Sequence, residues 1–382
     1  AVNFEGEIPE INQRNNYKRI KGLTNKPFQV RLFKDVENPH YNQLFIMPAY
    51  NYNIYDGITI GSMFYNKTLL RKPFQYKITP MWALKSNTLV GSGSALYKKM
   101  PEFGNLYFYR LGFSGSYYSY NSGLFYKRFS PFASVGFRDS KDLRNNKKHI
   151  INIRNVTVDR DKNPNIALES PNYSVFDINY IYSNPNLINY YKAIIDYQVS
   201  ADFSKISTTL NYRKLFNNNR KIDVRLFTGL FIKNNTKLDD DYFSFALDRP
   251  TDYLFDFNYY GRSDVAGLFS QQLIIAEGGF KSKLQPAYSN TWLTTLNLST
   301  NIWRWIQAYG DLGWVNNKNQ GTEFVYDSGI RLSLVEDYFE LFFPVYSNLG
   351  WEVAQPRYDQ KIRFIVTLDL KTLFGLFTRK WY

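Results

Sequence analysis

Residues 205–233 read KISTTLNYRKLFNNNRKIDVRLFTGLFIK, and their alternation decides the fold. In the first half Ile206, Thr208, Leu210 and Tyr212 alternate with Lys205, Ser207, Thr209, Asn211 and Arg213. Asn217-Asn218-Asn219 then marks a turn, because asparagine tolerates positive φ and bonds its own backbone. In the second half Ile222, Val224, Leu226, Leu230 and Ile232 alternate with Lys221, Asp223 and Arg225. A period of two predicts strands with one apolar and one polar face. In a soluble sandwich the apolar face would meet a second sheet. Here the polar face carries charges on nearly every strand, and the pattern recurs along the whole chain. This predicts an all-β antiparallel sheet closed on itself as a transmembrane barrel, with lipid outside and water inside.

Composition agrees. The 382 residues suffice for one large barrel or two ordinary domains. Tyrosine (32), phenylalanine (31) and tryptophan (7) are abundant, and Tyr and Trp favour membrane interfaces. Mean hydropathy is −0.41, and no run approaches the roughly 18 apolar residues of a spanning helix. A membrane protein of this hydropathy is a barrel. With no cysteine, disulfides, thiolate zinc sites and cysteine nucleophiles are excluded. The opening Ala1-Val2-Asn3-Phe4 has no basic or apolar stretch, so either a signal was removed or the chain is a piece of a longer one. Net charge is +14, but no long Lys/Arg run or nucleic-acid motif is present. The basic balance reads as a lumen or rim facing anionic lipid and solutes. Expected partners are outer-membrane lipid and lipopolysaccharide, with other outer-membrane proteins, and no nucleic acid.

Taken in order, residues 1–43 read as a periplasmic lead-in, with a short strand over Pro27–Val36. Hairpins begin at Leu44, the first turning at Asp56-Gly57. On the next strand Phe74, Tyr76, Ile78, Pro80, Trp82 and Leu84 form an outward row, and Gln75, Lys77 and Thr79 point inward. About sixteen strands, within 14–18, are expected across 44–370, with eleven before a long insertion at 234–290. Segments this long without regular structure are functional or disordered. This one holds Asp239, Asp240 and Asp241, Arg262, Gly278-Gly279, and many aromatics from Tyr242 to Phe269. That aromatic content predicts order. Part of 251–283 is expected to pack into or across the extracellular mouth, where inward charges pair with Asp239–Asp241, Asp248 or Arg262. The last strand is expected over Lys361–Leu370. Residues 371–382 switch period and predict a short interfacial helix.

Predicted inward charges are Lys192, Asp196, Arg213, Asp223, Arg225, Arg331 and Arg363. Carboxylates such as Asp223, Glu323 and Asp327 read as partners for these cations rather than as an acid–base pair. His40 and His149 read as loop or turn residues, since neither sits in HExxH or another ligand pair. Asp239–Asp241 with Asp248 and Asp252 lack EF-hand spacing and read as a solvated loop. Gly278-Gly279 reads as a tight turn. No catalytic residue, cofactor or metal is expected, and no peptide-cleaving activity.

Several stretches carry a family resemblance: IPEINQRNNYKR (8–19), NPHYNQLFIMP with YDG (38–48, 55–57), LDRPTDYLFDFNYYGRS (247–263), FSQQLIIAEGGF (269–280), and YFELFFPVYSNLGWE with KIRFIVTLDLKTLFGLFTRKWY (338–382). Together they resemble the C-terminal region of large Gram-negative zinc metallopeptidases of the aminopeptidase-N-like (gluzincin) family. The resemblance covers most of this chain but lies outside that family's catalytic domain, whose HExxH motif has no counterpart here. It implies that this barrel is the outer-membrane part of a longer protein. The function expected is a membrane anchor or scaffold, either for a periplasmic peptidase-like domain or within a larger outer-membrane complex. The rival is a plugged or gated channel with a charged lumen.

Overall fold

The structure is a computed structural model, and it describes residues 8–10, 13–16, 25–33, 37–68, 72–101, 104–140, 142, 145–162, 172–236, 241–257, 267–335 and 338–366. The chain divides into two compact units, residues 1–137 with 152–174, and residues 138–151 with 175–382. The first unit holds β1 (Phe28–Leu32), β2 (Asn42–Asn53), β3 (Gly57–Tyr65), β4 (Phe74–Ala83), β5 (Thr88–Lys99), β6 (Leu106–Asn121) and β7 (Leu124–Arg138). The division runs through β8 (Lys148–Arg160) and also separates Arg138 from the rest of β7 and the first two residues of the following strand from its remainder. The second unit continues with β9 (Tyr173–Pro185), β10 (Asn189–Val199), β11 (Phe203–Leu215) and β12 (Lys221–Asn234). The two-residue strands β13 (Phe245–Ala246) and β14 (Tyr288–Ser289) follow. Then come β15 (Trp292–Trp303), β16 (Ile306–Asn316), β17 (Thr322–Val335), β18 (Phe339–Ser347), β19 (Gly350–Trp351) and β20 (Arg363–Val366).

The fold is all-β, as the alternation predicts: among the described residues, eighteen strands form a nearly wholly antiparallel sheet beside the separate β13–β14 pair. Among the described strands only β1 runs parallel to its neighbour, β2. From β2 onward, two-residue strands aside, the described residues form sixteen strands, eleven before the long insertion and five after it. Among the described residues no helix is long and apolar enough to cross a membrane. The described part of the last strand is shorter than expected, Arg363–Val366, and residues 371–382 lie outside the described residues.

Turn chemistry sets the registers. Asn219 sits at φ 59°, its N–H donates to Phe216 O at 3.0 Å, and the Asn218 side chain accepts from Arg220 N at 3.1 Å. The β11–β12 register that follows places Leu210 opposite Leu226, Asn211 opposite Arg225 and Arg213 opposite Asp223. In the first unit Gly57 turns the first hairpin at φ 69°, and the preceding Asp56 is fully buried. Asp56 accepts from Ser119 N at 3.0 Å and from Ser86 Oγ at 2.8 Å, tying three hairpin ends together.

Burial is inverted relative to a soluble sheet. In the first unit Ile58, Ile60, Phe74, Ile78, Trp82, Leu89, Leu111, Phe113 and Phe129 are exposed. In the second unit Leu226, Leu230 and Ile232 are 37%, 48% and 61% exposed, while Lys205 and Lys221 on the opposite face are buried. On β12 the apolar stripe faces out, and across β11 and β12 the polar stripe is covered.

Candidate functional site

What covers the polar face in the second unit is the insertion. Its described stretches, 241–257 and 267–289, contain Phe243, Phe245, Leu247, Leu254, Leu273, Phe280 and Leu284, all buried. They hold to the strands at three places.

The first is aromatic. Phe243 and Phe245 pack on Phe203, Phe227 and Phe231 of β11 and β12, with ring centroids 4.8–5.7 Å apart. Lys205 reaches up from β11. Its ammonium donates to Phe243 O at 2.7 Å and lies 4.6 Å from the Phe245 ring and 5.1 Å from the Tyr253 ring. A desolvated cation over an aromatic face is worth about 2 kcal/mol. The Tyr253 hydroxyl donates to Gln198 on β10. Burial pushes that phenol well above the usual tyrosine range, so it keeps the proton it donates.

The second is the Gly278-Gly279 turn. Gly278 N donates to Ala246 O at 2.9 Å, and a Cβ at 278 would lie 2.7 Å from Leu247 Cα. Gly279 has φ 74°, and a Cβ there would meet Asn297 Oδ1 and Arg225 Nη1 within 3 Å. Only glycine lets the backbone approach so closely. The Arg225 guanidinium donates to Glu277 O at 2.9 Å, Ala276 O at 3.2 Å and Asn297 Oδ1 at 2.8 Å. Asn297 donates onward to Gly278 O at 3.1 Å and to Asp311 at 2.9 Å. Lys281 pairs with Asp311 at 2.7 Å, and the backbone N–H groups of Lys281 and Ser282 both donate to Asp327 Oδ2 at 2.7 Å. The glycine pair therefore does more than turn the chain, because it lets a ladder of polar strand residues grip three successive carbonyls.

The third joins the insertion to the last strands. Leu273 N donates to Phe364 O at 2.7 Å, the Gln271 side chain donates to Ile362 O at 2.9 Å, and Arg363 pairs with Asp248 at 3.2 Å.

The charges named from the sequence have these partners. Arg213, Lys221 and Arg331 converge on Asp223 at 2.5, 3.2 and 3.8 Å, and Arg331 also pairs with Glu340. Asp196 accepts from Gln198 at 2.6 Å. Lys192 lines a cavity of about 590 Å³ left between strands and insertion. Asp241 begins a short 3-10 turn and accepts from Ser244 N, whereas Asp239, Asp240 and Arg262 lie outside the described residues.

Three expectations need correction. Asp248 and Asp252 are not in a solvated loop: both are buried, Asp248 on Arg363 and Asp252 accepting from Asp256 N at 2.6 Å. Phe257 and Phe269 keep 38% and 51% of their surface exposed, so not every aromatic of the insertion finds cover. His149 is a strand residue of β8 rather than a loop residue, held between Asp139 and Tyr180 at 2.6 Å each. His40 does sit in a turn. Among the described residues no group of three His, Cys, Asp or Glu gathers as for a metal.

Asn297, Asp311 and Glu340 were not singled out by the sequence, and Lys205 was read there only as a polar position of its strand. Asn297 and Asp311 stand in the polar phase of β15 and β16, so alternation could have found them. Lys281 belongs to irregular backbone, where no period points to it.

No protein-family model and no curated protein matches the chain. Among solved structures it is similar to CdiB from Acinetobacter baumannii, at 13% identity over 80% of this chain and 58% of that one, with TM-score 0.35. It is also similar to BamA from Haemophilus ducreyi lacking POTRA domains 1-3, at 10% identity over 80% of this chain and 69% of that one, with TM-score 0.41. This chain thus spans less than two thirds of the CdiB chain.

Proposed function

We propose that this chain is a transmembrane β-barrel of a Gram-negative outer membrane, serving as a membrane anchor or scaffold, with its lumen occupied by its own insertion. The observation that carries the reading is the inverted burial. Rows of exposed Leu, Ile, Phe and Trp back onto a covered face holding Lys205, Asp311, Asp327, Glu340 and Arg363. Water disfavours contiguous apolar rows of this extent, and lipid accommodates them. A scaffold is favoured over an open pore because the insertion grips β11, β12, β15–β17 and β20 through buried charges and carbonyls. Surrounding lipid and lipopolysaccharide, and neighbouring outer-membrane proteins, are the partners of this reading. The anchored cargo, in its narrower form, is a periplasmic peptidase-like domain, supported only by the resemblance of the quoted stretches. Residues 1–43 would then lead in from the periplasm.

A charged cavity favours a second reading, a gated channel. Planar-bilayer recording with residues 240–285 deleted separates the two. The plugged scaffold stays closed when intact and shows steady conductance steps after deletion. An intact chain that already conducts like an open porin, unchanged by the deletion, would overturn the plug.

A further inference from the structure

We propose that the cavity beneath the insertion is a binding site for an anionic amphiphile: a phosphate or carboxylate head joined to an aliphatic tail. The site is independent of whether the insertion blocks passage, since it needs only the packing of strands against insertion.

The cavity is rich in charge. Lys192, Arg213, Arg225, Lys281 and Arg331 line it, together with Asp223, Asp256, Asp311 and Glu340. Three of these cations meet carboxylates directly: Lys281 on Asp311, Arg331 on Glu340 and Arg213 on Asp223. Arg225 contacts only neutral oxygens, those of Ala276, Glu277 and Asn297. The half-buried Lys192 ammonium meets no carboxylate among the described residues. Two cations without a carboxylate contact, in a partly dehydrated cavity, favour an incoming anion.

The cavity also has apolar lining. Leu273, Ile274 and Ile275 of the insertion line it with Phe342 and Ile365 of the strands. Ile275 keeps 47% of its surface exposed although its neighbours Leu273 and Ala276 are buried. Exposed apolar surface beside cations that contact no carboxylate calls for a ligand with both characters. The volume, about 590 Å³, lies within the range of small-molecule sites, and a bare inorganic ion would fill little of it.

Calorimetric titration of the full chain in a non-ionic maltoside detergent tests this, with octyl phosphate, inorganic phosphate and octanol as probes. Octyl phosphate is expected to bind at one equivalent, at least about tenfold tighter than either other probe, the effect of one charge-assisted contact. Lys192→Gln should weaken it by about tenfold, and Lys85→Gln in the first unit should not. Ile275→Ser should weaken octyl phosphate and leave inorganic phosphate unchanged. Competition by dihexanoyl phosphatidic acid, with the same dependence on Lys192, assigns a phospholipid source, and its failure assigns a single-chain source. Absence of saturable octyl phosphate binding overturns the site. So does equal binding of octanol or inorganic phosphate, or insensitivity to Lys192→Gln. A glutamate-rich peptide that binds tightly and is not displaced by octyl phosphate would also overturn it, in favour of a peptide.

Discussion

Leu226→Arg is expected to lose about 2–4 kcal/mol of folding stability in a bilayer, the cost of a cation on the lipid face near mid-membrane. Leu226 is 37% exposed on the apolar face of β12 and pairs across the sheet with Leu210 and Leu296, which share that face. The proper control is Asn211→Arg. Asn211 pairs with Arg225 and Lys192, half-buried on the polar face, and lines the cavity, whose water can receive a cation. Arg225→Leu, the natural comparison from sequence alone, is a poor control, because it would strand the carbonyls of Ala276 and Glu277 that Arg225 serves. Urea titration of the chain folded into vesicles reads the difference. Equal stability of the Leu226 and Asn211 variants would contradict the register.

Lys281→Met is expected to cost about 3–5 kcal/mol, because removing one partner of a buried pair leaves the other charge uncompensated. Asp311 has no exposed surface, and Lys281 lies 2.7 Å from it while also donating to Gly279 O. The loss falls on the docking of the insertion rather than on the strands, whose pairing does not involve the Lys281 side chain. Hydrogen exchange should therefore accelerate over residues 273–284 and stay slow in β15 and β16. Adding Asp311→Asn should recover part of the loss by removing the stranded charge. Unchanged protection of 273–284 in Lys281→Met would show that this pair does not hold the insertion.

Both predictions show what the sequence made legible. Strand alternation is a local property, so the faces of Leu226 and Arg225, the sixteen strands and the position of the long insertion could be read directly. The aromatic content of 242–257 also indicated that this segment needs a surface. The grip itself was not legible. Lys205 meeting Phe243 O, and Lys281 meeting Asp311, join residues 38 and 30 positions apart through backbone of no regular period. Nor could the acidic cluster be read correctly from its composition. Asp248 looks solvated beside other aspartates, but Arg363, 115 positions away, covers it.

The inverted burial also explains the composition. An all-β chain can carry a mean hydropathy of −0.41 and still present apolar rows to lipid, because only alternate residues face outward. The remaining positions are free to hold charges, and the insertion uses them as its docking surface.

Spin labels placed singly at Ile206, Leu226, Leu230 and Leu298 on one face, and at Asn211 and Ser299 on the other, test the central claim most directly. The chain is folded into vesicles, and collision with oxygen is compared with collision with a water-soluble nickel complex. The first four sites should favour oxygen strongly, as lipid-exposed positions do, and the other two should show low access to both reagents because the insertion covers them. High nickel access at Leu226 and Leu230 would place the apolar face in water and contradict the membrane barrel.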